Sequence, residues 1–569
     1  MTLTAPSRWG TLLVAVVMAL QWLTTADAQR FDEQFSNWPV HLTITGRILV
    51  DNDVQEWDGL KPVLERVAKD RSVICFRRES ASSSNLLAEA LKAAVGDEGS
   101  AEVTSFTTLP LDDLKAALSS ADVVVIQAGE QVASDLPTLL KLKPQFDEFL
   151  ADGRTLIVDK AVATLLGKVV LSKAMPKGDD AGLNLFPDSV LLCDFDENGA
   201  SQADLMKAVT SHPRTVGIGI QRGVMLMLSG RKVTCHGSGR ATFVLPGRDH
   251  GLPRIETISP ATSRRQTPQE ALLDLTEWRR DAIDRTLEPF PGVDVETPFV
   301  DNGTLVIVGG GGMPRGLMSR FVELAGGNEH ARLVYVPCAE EIDVSQDQGT
   351  VQGWKKMGVE HATSIHTKDR QQANTDDEFL ASLKDATGIW FGGGRQWNLA
   401  DSYYGTKAQR MMKEVLHRGG VIGGSSAGAS IQARYLARAT PIGNFNIMAP
   451  GYERGGLGFI GGVAIDQHFT QRGRHKDLTQ LVSRYPQLLG IGLDEATAIV
   501  VQKSIAEVVG NGKVFFYDSQ RPVVADEPDY VALPKGSSYD LAKRAVLVDA
   551  TGVPVETESE PKIEESESQ

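Results

Sequence analysis

The run Val421-Ile422-Gly423-Gly424-Ser425-Ser426-Ala427-Gly428-Ala429-Ser430 passes from an apolar stretch into Gly-x-Ser-x-Gly, with Ser426 at its centre and an apolar helical pattern behind it. A sharp strand-to-helix turn exposes a serine hydroxyl, and small neighbours let the backbone close without clashes. The turn also sets the hydroxyl at a helix start, where backbone N–H groups can stabilise a developing oxyanion. The chemistry this suggests is nucleophilic attack on an acyl carbon. Such a serine needs a base, and two histidines follow it, His468 and His475. His468 lies near the end of the run Gly462-Val463-Ala464-Ile465-Asp466-Gln467-His468-Phe469, where a strand meets its loop. Open α/β sheets build their sites at that edge. His475, between Arg474 and Lys476, reads as a solvated surface residue. Asp494 or Glu495, which interrupt the apolar run from Gly490 to Ala498, could orient the imidazole.

The order serine, histidine, acid is informative. An α/β-hydrolase places its acid between the serine and the histidine. The nearest acid there, Asp466, stands too close to His468 in sequence to come from a separate loop, which argues against a lipase or esterase. Phe391-Gly392-Gly393-Gly394-Arg395-Gln396 follows another apolar run, and its glycines would let backbone N–H groups approach a substrate carbonyl. Gly309-Gly310-Gly311-Gly312 resembles a phosphate loop. However, Pro314 and Arg315 stand where a dinucleotide motif needs its third glycine, and no Gly-Lys-Ser/Thr follows. No nucleotide cofactor is expected. No metal is expected either, since the histidines are scattered and His361 and His366 lack the spacing to share a helix face.

The elements that must position these residues alternate. Thr304-Val308, Leu333-Val336, Gly388-Phe391, Val421-Gly423, Val463-Ile465 and Ala498-Gln502 read as strands, several nearly unalternated as in sheets covered on both faces. Leu317-Ala325 and Lys407-Arg418 read as helices between them. This predicts a doubly wound, mostly parallel sheet. The N-terminal half reads as a second copy. Ala121 to Gln131 aligns with Ala386 to Gln396, and His212 to Ile220 with Tyr485 to Leu493. On these alignments Ser426 faces Ala161, His468 faces Phe195 and Glu495 faces Arg222, so the first copy is expected to be catalytically dead. The expected domains are a degenerate copy over 40–250, a linker over 251–299, the catalytic domain over 300–520 and a C-terminal extension over 521–569.

The 569 residues fit two to four domains, with 42% hydrophobic and 23% charged residues, ordinary for a soluble protein. A net charge of -15 disfavours nucleic acid as a partner. Residues 1–28 read as a secretory signal: Arg8, an apolar Leu12 to Leu20, and Ala26-Asp27-Ala28 before a cleavage point. Export is therefore expected, to periplasm or medium, with no membrane span after cleavage; an uncleaved anchor is the alternative reading of the same segment. Four cysteines without a Cys-x-x-Cys pair suggest free thiols, with Cys75 and Cys193 in buried strands. The Glu- and Ser-rich tail from Glu556 reads as disordered.

Three segments in one order and spacing, Gly424-Ser425-Ser426-Ala427-Gly428-Ala429, Asp466-Gln467-His468-Phe469 with Gln471-Arg472-Gly473-Arg474, and Gly490-Ile491-Gly492-Leu493-Asp494-Glu495, resemble the cyanophycinase and peptidase E family of serine peptidases. The resemblance spans roughly Gly303 to Asp518. It implies a flavodoxin-like fold similar to class I glutamine amidotransferases, with Ser426 where those enzymes use cysteine. It implies Ser426 as nucleophile, His468 as general base and Glu495 as orienting acid. It also implies substrate contacts by Gln396, Asp466, Gln467, Arg472 and Arg474. N–H groups of Ala427 and of Gly393 or Gly394 would hold the oxyanion. The substrate would be an aspartyl peptide of the aspartate–arginine polymer type, and a homodimer is left open. One departure is Asp477, where cyanophycinases tend to carry a third arginine; an aspartyl peptide with a modified or free carboxylate fits equally well. The competing reading is a non-catalytic peptide-binding protein on the same fold.

Overall fold

The computed structural model describes residues 38, 43–54, 60–79, 86–171, 180–197, 199–248, 251–260, 272–339, 349–442, 446–521 and 527–548. The expected signal segment and acidic tail lie outside these residues. The chain divides into two compact units. One comprises His41–Val293 with Arg438–Arg454, the other Met1–Val40, Asp294–Ala437 and Gly455–Gln569.

Each unit is built on a central sheet whose middle strands are buried on both faces, which is why their sequences are largely unalternated apolar or small-residue runs. In the C-terminal unit the strands lie in the order His361–Ser364, Arg332–Val336, Gly388–Phe391, Val421–Ser425, Val300–Val308, Thr497–Lys503, Ile505–Gly510, Ser538–Asp540, Ala545–Val548. The first five are mutually parallel and the rest antiparallel. A second sheet holds Ala433–Tyr435, Ile460–Gln467, Leu489–Leu493, Lys513–Tyr517 and Tyr530–Pro534. The run Val463-Ile465, expected in the parallel sheet, thus belongs to a separate one, and Ala498-Gln502 runs antiparallel. Local hydrophobicity cannot distinguish these cases, because both strands are as buried as their parallel neighbours. The helices Leu317–Leu324 and Lys407–His417 lie where the periodicity put them.

The N-terminal unit repeats the topology. Its main sheet runs Ser100–Phe106, Ser72–Arg78, Val123–Gln127, Thr155–Asp159, Arg47–Asn52, Val224–Ser229, Lys232–Gly237, Leu272–Asp274. Its second sheet runs Ser189–Cys193, Val216–Ile220, Ala241–Leu245, Arg254–Ile258. Registers refine the alignment of the copies. Thr155–Asp159 pairs with Arg47–Asp51 as Val421–Ser425 pairs with Thr304–Val308, so Lys160, not Ala161, faces Ser426. Ser189–Cys193 pairs with Val216–Ile220 as Val463–Gln467 pairs with Leu489–Leu493, so Asp194, not Phe195, faces His468. Arg222 does face Glu495. Each sequence alignment was anchored on one segment, and single-residue differences elsewhere shifted the partner by one.

Of the segment read as a linker, the described residues 251–260 and 272–293 fold with the N-terminal unit, whereas 294–299 belong to the C-terminal one. Arg254–Ile258 and Leu272–Asp274 are strands, and Leu275–Asp284 is a helix buried along its length. Its acids are buried because they are paired: Arg254 meets Glu277 at 2.9 Å and Asp281 at 3.0 Å, and stacks over Trp278 at 4.3 Å. Likewise Tyr530–Pro534, Ser538–Asp540 and Ala545–Val548 make the start of the expected C-terminal extension part of the C-terminal sheets. Among the described residues no helix is long and apolar enough to cross a membrane.

All four cysteines are free; Cys75, Cys235 and Cys338 are buried, whereas Cys193 is only half-buried. Titrating the unfolded, unreduced protein with a thiol reagent should return four thiols per chain, and reductant should leave its thermal midpoint unchanged. A lower count would show a disulfide.

Candidate active site

Ser426 caps the short helix Ala427–Ser430 directly after the strand Val421–Ser425, with φ 57° and ψ −113°. A positive φ is strained for a residue with a side chain and costs about 1–3 kcal/mol. The turn holds because its surroundings permit nothing else. The Ser426 N–H donates to the Val308 carbonyl at 3.0 Å, and the Ser426 carbonyl accepts the Ala429 N–H at 2.9 Å. The flanking glycines are obligatory. A Cβ at Gly424 would lie 2.2 Å from the Gly428 carbonyl oxygen, and one at Gly428 would lie 2.2 Å from that of Phe391.

His468 ends the strand Ile460–Gln467 of the second sheet and also has a positive φ, 50°. Its N–H donates to the Gly309 carbonyl at 2.8 Å. This backbone turn aims the imidazole at the serine: Ser426 Oγ and His468 Nε2 are 2.9 Å apart. Glu495, in the turn between Leu489–Leu493 and Thr497–Lys503, brings Oε1 to 2.6 Å from His468 Nδ1. Asp494 takes no part. It is buried and its carboxylate accepts the N–H groups of Thr470 and Lys513. The imidazole pKa is lowered, first by burial and further by the Arg472 and Arg474 charges, against the bond to Glu495 that raises it. At neutral pH it is therefore the free base, able to accept a hydroxyl proton.

The Gly309–Gly312 loop is the surface on which the His–Glu pair lies. A Cβ at Gly310 would stand 2.4 Å from the His468 ring, and one at Gly311 2.2 Å from the Glu495 carboxyl carbon. Gln471 accepts the Glu495 N–H at 3.0 Å and fixes the acid's backbone. Sequence reasoning missed these positions; the signal was the glycine run itself, read for phosphate contact rather than for side-chain approach.

Gly393 flanks the serine, its Cβ position being 3.5 Å from the Ser426 Cβ and 4.0 Å from Oγ. Gly394 has a φ of 131°, open only to glycine. Ala427 is the first residue of the helix after Ser426. The remaining sequence candidates separate into inner and outer groups. Arg474 is buried, with Nη1 donating to Asp466 at 2.8 Å and to the Gln467 carbonyl at 2.6 Å. Gln396 is fully buried and donates to the Ala437 carbonyl at 3.1 Å. Arg472, by contrast, is exposed on the turn Thr470–Arg472. His475 is not the solvated residue expected. Its Nδ1 lies 2.9 Å from the Tyr517 hydroxyl, and its ring packs edge-on to Phe469 at 4.7 Å and Phe515 at 4.8 Å. Charged neighbours in sequence hid an aromatic environment supplied by a distant strand. No group of residues suited to a metal ion occurs among the described residues.

A serine on a strand-to-helix turn, hydrogen-bonded to a buried neutral imidazole within an α/β sheet, defines a hydrolase of the serine peptidase class. Residues 304–509, which include all three groups, match the model of peptidase family S51. A cyanophycinase from Geminocystis herdmanii (strain PCC 6308) is 30% identical over 226 residues, covering 39% of this chain and 82% of that protein. A cyanophycinase from Trichormus variabilis is 26% identical over 279 residues, 45% of this chain and 91% of that one. Among solved structures, a peptidase from an acI-B1 Actinobacterium is similar with 23% identity and a TM-score of 0.32, covering 42% of this chain and 97% of that one. The chain belongs to peptidase family S51.

Gly311→Ala, which drives a methyl group into the Glu495 carboxylate, should slow covalent labelling of the serine by at least about tenfold, the scale of losing one positioned catalytic group. The fold should survive, since an alanine at this positive φ costs about 1–2 kcal/mol, a fraction of a domain's stability. Labelling rates equal to those of the unaltered protein would show that the loop does not position the acid.

Proposed function

We propose that this chain is an exported serine peptidase that cleaves aspartyl peptide bonds of cyanophycin-like, aspartate–arginine substrates through Ser426, His468 and Glu495. The observation that carries the reading is the continuous relay from the Ser426 hydroxyl through His468 to Glu495, 2.9 Å and 2.6 Å in its two steps. His468 Nε2 takes the Ser426 proton as Oγ attacks the scissile carbonyl. Glu495 holds Nδ1–H, fixing the tautomer and stabilising the imidazolium. The N–H groups of Ala427 and of Gly393 or Gly394 face the tetrahedral oxyanion. The imidazolium then protonates the leaving amine, and water, activated by the same base, releases the acyl group.

Substrate choice rests on the relatives' names and on charge. Arg472 is the exposed cation of the turn after His468 and is assigned to a substrate carboxylate. Asp466, Gln467 and Arg474 form the buried layer beneath that turn, and Gln396 lies in the helix after the Gly392–Gly394 loop. Export rests on the N-terminal pattern in the sequence.

A fluorophosphonate probe should label Ser426, and Ser426→Ala should lose both the label and hydrolysis of aspartyl–arginine peptides. Absence of labelling in folded protein would favour the peptide-binding alternative. Glu495→Gln should lower kcat by roughly 10²–10⁴-fold with KM little changed. The acid limb of kcat/KM reports the free enzyme's imidazole and should fall below the ordinary histidine value of about 6.5. Arg472→Gln removes a positive neighbour, which should move that limb upward; a limb that stays put would remove Arg472 from the site's field.

A further inference from the structure

The N-terminal unit carries, at the places paired with the nucleophile, base and acid, a cation, an anion and a cation: Lys160, Asp194 and Arg222. The pairing is backed by backbone conformation. Asp194 and His468 have φ of 51° and 50°, and the residue after each is a phenylalanine packed on a glycine. A Cβ at Gly219 would lie 2.4 Å from the Phe195 ring, and one at Gly492 2.6 Å from the Phe469 ring. Asp53, with φ 55°, falls at the place of Gly310, with φ 89°.

The four charges meet. Lys160 Nζ lies 2.7 Å from Asp53 and 3.0 Å from Asp194, and Arg222 Nε lies 3.3 Å from Asp194 and 3.6 Å from Asp53. The replacements fit one another sterically as well. A side chain at Gly310 would strike the imidazole, whereas Asp53 carries one opposite the much shorter Asp194. One candidate oxyanion donor is also taken: the Gly129 N–H, paired with Gly394, is 2.9 Å from the buried carboxylate of Asp159, which stands at the place of Ser425 and also accepts the Val162 N–H at 2.9 Å. Lys160 is no amine nucleophile. Burial acts to discharge it, but its bonds to Asp53 and Asp194 outweigh this and hold it as an ammonium.

We propose that the N-terminal unit is a silenced copy of the site, in which Lys160, Asp53, Asp194 and Arg222 form a clasp joining the strand-end loops that in the C-terminal unit carry nucleophile, base and acid. The inference rests on reading Ser426, His468 and Glu495 as the active residues. Isolated pairs as exposed as these contribute little, but here each carboxylate serves two cations, so ordering one side chain favours two contacts.

Hydrogen exchange read by mass spectrometry on the full chain tests the clasp without any turnover, so its failure is separable from a failure of Ser426 labelling. Asp194→Asn should speed exchange roughly fivefold in peptides containing Asp53, Lys160 and Arg222, the scale of a coupling near the upper end for such pairs. Peptides around Ser426, His468 and Glu495 should exchange as before. Molar salt should loosen the same N-terminal peptides in the unaltered protein and add little in the variant. Lys160→Met should reproduce the effect. Unchanged exchange in both variants would overturn the clasp. Hydrolysis that persists in Ser426→Ala and disappears on adding Lys160→Met would overturn the silencing, by making this unit a second catalyst.

Discussion

The C-terminal site depends on three turns meeting where no side chain can stand between them. A Cβ at Gly309 would lie 2.1 Å from the Asp494 carbonyl oxygen, and Gly424 and Gly428 face equally close backbone neighbours. Close backbone approach of this kind is what makes the relay possible. Ser426 comes from the main sheet, whereas His468 and Glu495 come from the ends of adjacent strands in the second. Their separation is set by backbone packing rather than by long flexible side chains, which keeps the conformational entropy lost at the moment of reaction small. Ser426, His468 and Ala496 all hold positive φ, and each is fixed by a backbone bond from its own N–H, to Val308, Gly309 and Gly310 respectively. The strain is thus spread over a small network that defines the geometry rather than relaxing it.

Beneath this lies a buried ion pair. Arg474 and Asp466 are both removed from solvent, and removing one partner of such a pair costs about 3–5 kcal/mol because the other is left charged and unpaired. The pair braces the turn from His468 to Arg474, since the Arg474 N–H also donates to the Phe469 carbonyl. Its positive partner contributes to the field that keeps the imidazole neutral. One arginine thereby serves both the shape and the protonation state of the site.

Much of this was legible in the sequence. Gly-x-Ser-x-Gly after an apolar strand located Ser426, and the end of an apolar run located His468, because both signals are local. Glu495 could not be separated from Asp494 by pattern alone; the choice depends on which carboxylate is consumed by the backbone N–H groups of Thr470 and Lys513, a tertiary fact. The second sheet was invisible because strands buried in either sheet share one composition. The linker was misread because a helix rich in Arg, Asp and Glu looks solvated unless its partners, such as Arg254, are known. The glycine run was read for what it might hold rather than for what it lets in.

The charged positions of the N-terminal unit carry an evolutionary corollary. A lone change of Lys160 to serine would leave Asp53 and Asp194 facing one another with a cation lost, and a lone histidine at 194 would meet the side chain of Asp53. Placing serine, histidine and acid there therefore means changing positions 53, 160, 194 and 222 together, because each present charge is paired with the others. The N-terminal half is thus free to acquire new surfaces while its paired charges stand where its neighbour keeps a serine, a histidine and an acid.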